Sequence, residues 1–267
     1  MKIHPSAIVD PAARIESDVE IGPYSIIGAN TVIGARSTIQ SHVVIEGDVT
    51  IGESNVIGHG TIIGAPPQDV SYLPERKTSV VIGNENVFRE YCTIHRATAE
   101  GTATKIGDHN FLMVGAHIGH NCEIGNNVTI ANNCLLAGYV RVDDQAFLGG
   151  ASTFHQFMRV GRLVMVQGSS AFGKDLPPFT LAAERNSIMG LNVIGLKRAD
   201  FSAEDRQEIK AAFKLIYLDG LNISQALEKA ATRKVGAAAR EFFDFVAEAK
   251  KRGLCPCRGK GEGELSI

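Results

Sequence analysis

Every sixth residue of this chain is aliphatic over most of its length. From Ile3 the positions Val9, Ile15, Ile21, Ile27, Ile33, Ile39, Ile45, Ile51, Ile57 and Ile63 are all Ile or Val. The frame slips by one residue across 64–81, resumes at Ile82 and runs to Phe172, with fifteen of sixteen positions apolar. The exception, Glu100, lies in a polar stretch from Ala97 to Thr104 that reads as a loop. A period of six fits neither the 3.6 of a helix nor the plain alternation of a strand. It fits a solenoid, in which each hexad supplies a short strand, a turn and one large inward residue. A β-sandwich would not hold this phase for 27 hexads. Glycine follows the inward residue at 22, 28, 34, 52, 58 and 64, where the turn needs either unusual backbone angles or a close approach. Four residues after the aliphatic, small or β-branched residues such as Ala7, Ser25, Ser37 and Val43 dominate. The chain has no Trp, as a narrow aliphatic prism requires. Parallel crossovers are usually right-handed, but periodicity alone does not give the hand of this coil.

The hexads stop after Phe172, and Pro177-Pro178 marks the exit. From about 190 the pattern turns helical. Ser202 is a candidate N-cap with Asp205 three residues on, and Ile209, Phe213 and Ile216 share a helical face. Ser224 is a candidate cap for a second helix. A third is expected over about 236–251, burying Phe242, Phe243 and Val246 and ending at Gly253. The expected organisation is a β-solenoid over 1–189 with a loop insertion at 65–80, a helical domain over 190–253 and a disordered tail over 254–267.

Charge and leader signals narrow the function classes. Residues 1–173 carry 11 Lys and Arg against 16 Asp and Glu, whereas residues 174–267 carry 16 against 13. That excludes a strongly basic nucleic-acid binder and points an anionic partner at the C-terminal part. No apolar run approaches the ~20 residues that span a bilayer, so no stable membrane insertion is expected. Met1-Lys2-Ile3-His4-Pro5 has no apolar leader character, and five cysteines show no paired spacing. A cytoplasmic chain with reduced thiols is the expectation. Cys255 and Cys257 read as part of an exposed tail rather than a metal hook.

Three segments carry candidate chemistry. In His117-Ile118-Gly119-His120-Asn121-Cys122, Ile118 holds the inward position, so His117 and His120 project outward. Ordinary surface histidines on turns would read the same way. The loop Ala65-Pro66-Pro67-Gln68-Asp69-Val70-Ser71-Tyr72 interrupts a rigid repeat, as functional loops and harmless insertions both do. Gly190 to Arg198 brings Asn192 and two cations, Lys197 and Arg198, to the domain junction; this suits a diphosphate or a solvated linker.

These residues resemble the bacterial hexapeptide transferases. Together with Leu136-Ala137-Gly138, Phe154-His155-Gln156-Phe157 and Gly195-Leu196-Lys197-Arg198, the pattern to about residue 250 is similar to the acyl-carrier-protein–UDP-N-acetylglucosamine O-acyltransferase family, which opens lipid A synthesis. The resemblance implies a left-handed parallel β-helix with three hexads per coil, and a homotrimer with sites between subunits. It implies transfer of a 3-hydroxyacyl chain from acyl carrier protein to the 3-hydroxyl of a UDP-sugar, with no metal or resident cofactor. With three hexads per coil, His120, Gly138 and Gln156 stack in one column. A base beside a free backbone N–H is what acyl transfer needs. Carried over by motif, His120 is the general base and the Gly138 N–H the oxyanion donor. His117 is a second cleft histidine, and Gln68 and Asp69 form the sugar loop. His155, Gln156, Asn192 and Arg198 contact the nucleotide sugar, and Gly168 sets the depth of the acyl pocket. A glycine there leaves room for a long chain. Lys197, Arg198, Lys210 and Lys214 would dock the acidic carrier.

Five positions depart from the family pattern. Asn121 stands where aspartate is common, Tyr139 for a histidine, Ser71 for a lysine, and Ile194 and Ala199 for a glutamate and an arginine. An amino acceptor at the sugar 3-position, giving an amide, is the alternative substrate. A zinc lyase of the carbonic-anhydrase type is a rival that uses histidines on the same coil. A non-catalytic scaffold is a further one. The His117 and His120 spacing together with the Gln68-Asp69 loop fits acyl transfer better.

Overall fold

The computed structural model describes residues 1–249 and 252–258. Residues 2–172 wind into a parallel β-helix with three flat walls. Successive strands feed successive walls, and each pairs in parallel with the strand three ahead of it. Ile3 lies opposite Ile21, Val9 opposite Ile27 and Ile15 opposite Ile33, so a regular coil is three hexads. The first wall holds eleven strands, the second nine and the third eight, so nearly every strand edge is covered by the next coil.

Two coils are longer, and they explain the irregular hexads. Asp48 pairs with Ser79, and Ser79 in turn with Ala103. The first of these coils exceeds the regular length by two hexads and one residue, ejected as the loop 66–78; hence the slip by one. The second exceeds it by one whole hexad, ejected as 97–102. The phase therefore survives, and Glu100 falls on it without being a wall position.

The inward aliphatics form a continuous stack: Ile27, Ile33, Ile39, Ile45, Ile51, Ile57 and Ile63 are each 0–1% exposed. Each such burial contributes roughly 1.5–3 kcal/mol. The glycines after them serve close approach. A Cβ on Gly34 would lie 2.5 Å from Gly52 C, and one on Gly58 2.5 Å from Arg89 C. The left-handed conformation sits two residues later instead, on side-chain-bearing residues such as Tyr24, Arg36 and Asn121. Gly64 needs both freedoms, with φ +85° and a virtual Cβ 2.0 Å from Glu46 O.

The outer faces differ. The first wall points Val56, Val87, Phe111, Phe147 and Met165 outward, and the second Ile8, Ile26, Val44, Ile62 and Leu135. The third points out Arg14, Lys105, Glu123, Arg141 and Arg159.

The solenoid is capped by a strand pair, Thr180–Ala183 running parallel to Met165–Val166 and Ser187–Leu191 returning antiparallel. The wall thus reaches slightly past the expected boundary at 189. Four helices follow: α1 Val193–Arg198, α2 Ala203–Tyr217, α3 Ile223–Ala231 and α4 Ala237–Ala247. Ser202 and Asp205 form the expected capping box on α2. For α3 the cap is Asn222, not Ser224, because Asn222 and Gln225 close a capping box at an earlier position. Helix α4 ends at Ala247 rather than near 251; residues 250 and 251 lie outside the described residues. Arg162 clamps the helices to the coil through both oxygens of Glu241 and stacks on Phe179 and Phe201.

The expected disordered tail needs correction over 254–258. The Cys255 N–H donates to Asp175 O, the Ile188 N–H to Pro256 O and the Arg258 N–H to Ile188 O. Leu254 and Cys255 are buried against the cap. A backbone ladder therefore orders residues whose composition suggests none. Residues 259–267 lie outside the described residues. All five cysteines are free thiols, and burial pushes the pKa of Cys92, Cys122, Cys134 and Cys255 up to about 12. Among the described residues no helix is long and apolar enough to cross a membrane.

Candidate active site

The corner between the second and third walls carries the expected column. The Tyr139 N–H donates to His120 O at 2.9 Å, and the Phe157 N–H to Gly138 O at 3.1 Å, which sets His120, Gly138 and Gln156 one above another. The His120 imidazole lies over Gly138: a Cβ there would be 2.3 Å from Cε1 and 2.4 Å from Nε2. Among the described residues no acceptor takes the Gly138 N–H. A cleft of about 430 Å³ runs past Gln68, His95, His117, His120, Gly138 and Gln156.

His117 is a strand residue whose Nδ1 lies 2.8 Å from Thr93 Oγ1. Burial above all, then His95 and His120, pushes its pKa down to about 4. It is neutral at pH 7 and meets a ligand as a hydrogen-bonding ring. The shift has a stability consequence. Below 6.5 the unfolded chain gains a proton that the folded ring refuses until about 4, so stability falls as pH drops through that window. The urea midpoint should decline more steeply between pH 6.5 and 4 in the native protein than in His117→Gln; equal slopes would contradict this.

The loop 66–78 folds back toward the cleft. Asp69 accepts the Ser71 N–H at 2.8 Å and its hydroxyl at 2.7 Å, and these bonds hold its carboxyl below the usual range, with smaller contributions from His120 and Arg76. Arg96 ties the loop down through Gly64 O and the Tyr72 hydroxyl. The two ejected loops also grip each other: Arg76 donates to Thr98 O and the Lys77 N–H to Glu100.

Five expected residues do not line this cleft: Asp69, which stays in the loop bonded to Ser71, and four that lie elsewhere. His155 is exposed, with Nδ1 3.3 Å from Gln156 O. Asn192 caps α1, accepting the Gly195 N–H and donating to Leu163 O. Arg198 is exposed at the end of α1. Gly168 lies at the corner between the first and second walls, its virtual Cβ 3.1 Å from Gly150 O. Sequence reasoning misses His95. It is 9% exposed, its Nδ1 donates to Pro66 O at 2.6 Å, and its ring lies 5.2 Å from that of His117. The sign is present in the chain: a histidine fills the slot after inward Ile94 where glycine is usual. Among the described residues no three His, Cys, Asp or Glu side chains gather as metal ligands.

Two family models match: the bacterial transferase hexapeptide repeat over residues 1–35 and 103–138, and domain 2 of UDP-N-acetylglucosamine O-acyltransferase over 175–255. An acyl-[acyl-carrier-protein]–UDP-N-acetylglucosamine O-acyltransferase of Thermodesulfovibrio yellowstonii is 46% identical over 258 residues, 95% of this chain and 99% of that one. The chain belongs to the acyl-[acyl-carrier-protein]–UDP-N-acetylglucosamine O-acyltransferase family. Solved relatives agree. LpxA of Acinetobacter baumannii superposes with a TM-score of 0.90 at 38% identity, covering 94% of this chain and 98% of that one. The UDP-N-acetylglucosamine acyltransferase of Francisella novicida gives 0.92 at 36%, covering 97% and 95%. The coil of this O-acyltransferase family member is accordingly a left-handed parallel β-helix with a small helical C-terminal region.

The departures from the family pattern now have positions. Ser71 binds Asp69, Ile194 is exposed on α1 and Ala199 is the C-cap of that helix. Asn121 Oδ1 lies 3.1 Å from His120 Nδ1, the position where the resemblance implies a carboxylate. Tyr139 meets the His120 ring edge to face, with centroids 5.4 Å apart, and stacks on Phe157.

Proposed function

We propose that this protein moves an (R)-3-hydroxyacyl chain from acyl carrier protein to the 3-hydroxyl of UDP-N-acetylglucosamine, the first step of lipid A biosynthesis. The observation that carries the reading is the His120 ring over a free Gly138 N–H in a cleft flanked by Gln68. His120 Nε2 takes the hydroxyl proton as the sugar oxygen attacks the thioester carbonyl. The Gly138 N–H stabilises the resulting oxyanion. When the tetrahedral adduct collapses, the C–S bond breaks and His120 returns the proton to the carrier's thiol. Acyl carrier protein is thus a co-substrate, and no resident cofactor takes part.

His117 and Gln156 border the same cleft and suit hydroxyl and amide contacts with the sugar, alongside Gln68 and Asp69. His155, Asn192, Arg198 and Gly168 lie away from it, so their roles require a second copy of the chain. The outward apolar residues of the first two walls, Val56, Val87, Phe111, Phe147 and Met165 on one and Ile26, Val44, Ile62 and Leu135 on the other, support a homotrimer, in which packing around an axis would bury them. Lys197, Arg198, Lys210 and Lys214 are exposed and suit an acidic carrier. A cytoplasmic location follows from these substrates.

Purified protein offered 3-hydroxyacyl carrier proteins of several lengths, with UDP-N-acetylglucosamine or its 3-amino analogue, should yield the 3-O-acyl sugar and favour long chains. His120→Ala should lower kcat by roughly 10²–10⁴-fold. Full turnover by that variant, or acyl transfer to the amino sugar alone, would overturn the assignment.

A further inference from the structure

The six residues ejected at 97–102 end beside the His120 imidazole. The backbone N–H and the hydroxyl of Thr98 both donate to Asn121 Oδ1, at 3.0 and 2.9 Å. On the other side of the amide, Asn121 Nδ2 donates to Thr102 Oγ1 at 3.1 Å. The Thr102 hydroxyl has one proton, and it is directed at Ala99 O, 2.6 Å away. Its oxygen can therefore only accept from Asn121. A backbone N–H can only donate, so Oδ1 must face Thr98. The amide is fixed from both ends.

That orientation fixes the base. His120 Nδ1 faces Oδ1, an oxygen without a proton, so Nδ1 must carry the hydrogen. Nε2 then presents a lone pair above Gly138. Thr98 Oγ1 also lies 3.0 Å from the Tyr139 hydroxyl. Because the Thr98 proton is directed at Asn121, Tyr139 is the donor in that pair. The protons of Tyr139, Thr98 and His120 thus run toward Oδ1, and hydrogen bonds aligned this way polarise one another.

We propose that Thr98 and Thr102 are positioning residues that set the His120 tautomer through the Asn121 amide. The neutral amide, locked by two threonines, does here what a carboxylate beside the base does directly. This rests on His120 being the base, so the test reads the ring separately from the reaction.

Protein carrying ¹⁵N-labelled histidine is compared with its Thr98→Val/Thr102→Val variant, the His120 signals being assigned by their loss in His120→Ala. In the native protein His120 should show the Nδ1–H tautomer. The double variant keeps only the residue 98 backbone N–H on Oδ1 and gives Nδ2 no acceptor, so the amide is held at one point instead of three; the Nε2–H form should rise, and kcat should fall about tenfold with KM for the sugar unchanged. Restoring the hydroxyl as Thr98→Ser/Thr102→Val should recover part of both, and Tyr139→Phe is the milder variant should the double one fold poorly. An Nε2–H tautomer in the native protein overturns the proposal. So does a double variant that keeps the Nδ1–H form, whether its kcat falls or not. A native Nδ1–H ring combined with an active His120→Ala would instead remove the catalytic reading and leave the tautomer assignment standing.

Discussion

Gly138→Ala is expected to cut kcat on the order of 10³-fold while leaving the coil folded. The backbone at 138 lies outside the left-handed region, so alanine can adopt it without strain. The difficulty is what the new methyl meets. It would lie 2.3 Å from His120 Cε1, 2.4 Å from Nε2 and 2.9 Å from Nδ1. No rotation of a methyl relieves this, so the imidazole must leave. Its way out breaks the Nδ1 bond to Asn121 and the edge-to-face contact with Tyr139. The oxyanion N–H survives the substitution, yet the base no longer stands over it. Gly173→Ala is the matched control, because its virtual Cβ finds only ordinary contacts at 3.9 Å. Steady-state kinetics and far-ultraviolet dichroism on both variants decide the matter. An active Gly138→Ala enzyme would mean that the ring does not work from this position.

The column behind this expectation is readable from the chain because its three members lie one coil apart in coils without insertions. His95 is harder to see. It lies between the two ejected loops, where its pairing with Ala65 breaks the regular register, and no fixed stride leads from it to His117. Thr98 and Thr102 are hidden for a related reason. Their hexad preserves the phase, so the polar stretch around Glu100 shows a loop but not that its threonines reach the His120 corner. Gly168 and Arg198 are legible as family positions, but within one chain Gly168 sits on another corner of the coil and Arg198 at the end of α1, and hexad spacing does not reach across those distances. The tail fails differently. Cys255 and Pro256 have the composition of a loop, but free backbone groups at Asp175 and Ile188 pair with them. Composition cannot report a partner elsewhere in the chain.

The same insertions conceal a polar ladder inside the prism, and it carries the largest expected stability change. Asn55, Asn86 and Asn110 occupy one corner of three consecutive coils and are 0–1% exposed. Each side-chain oxygen accepts the N–H of the next coil: Asn55 Oδ1 from Asn86 at 3.0 Å, Asn86 Oδ1 from Asn110 at 2.9 Å and Asn110 Oδ1 from Val128 at 2.8 Å. The ladder starts at Ser37, whose hydroxyl oxygen accepts the Asn55 N–H. Asn86→Ala removes the acceptor for the Asn110 N–H, which is buried and has no water to turn to. It also leaves a small cavity. An orphaned buried donor and the lost side-chain bond together cost about 3 kcal/mol, a large share of the roughly 5–15 kcal/mol that typically holds a domain together. In a solenoid that loss falls on the two coil contacts flanking residue 86, because each coil touches only its neighbours. The urea midpoint should drop accordingly. Asn86→Ser should recover roughly half of the loss, since Ser37 already fills this slot with a hydroxyl. A change near zero for Asn86→Ala would mean that the Asn110 N–H finds another acceptor, and the ladder would then be ornamental to the stability of the coil.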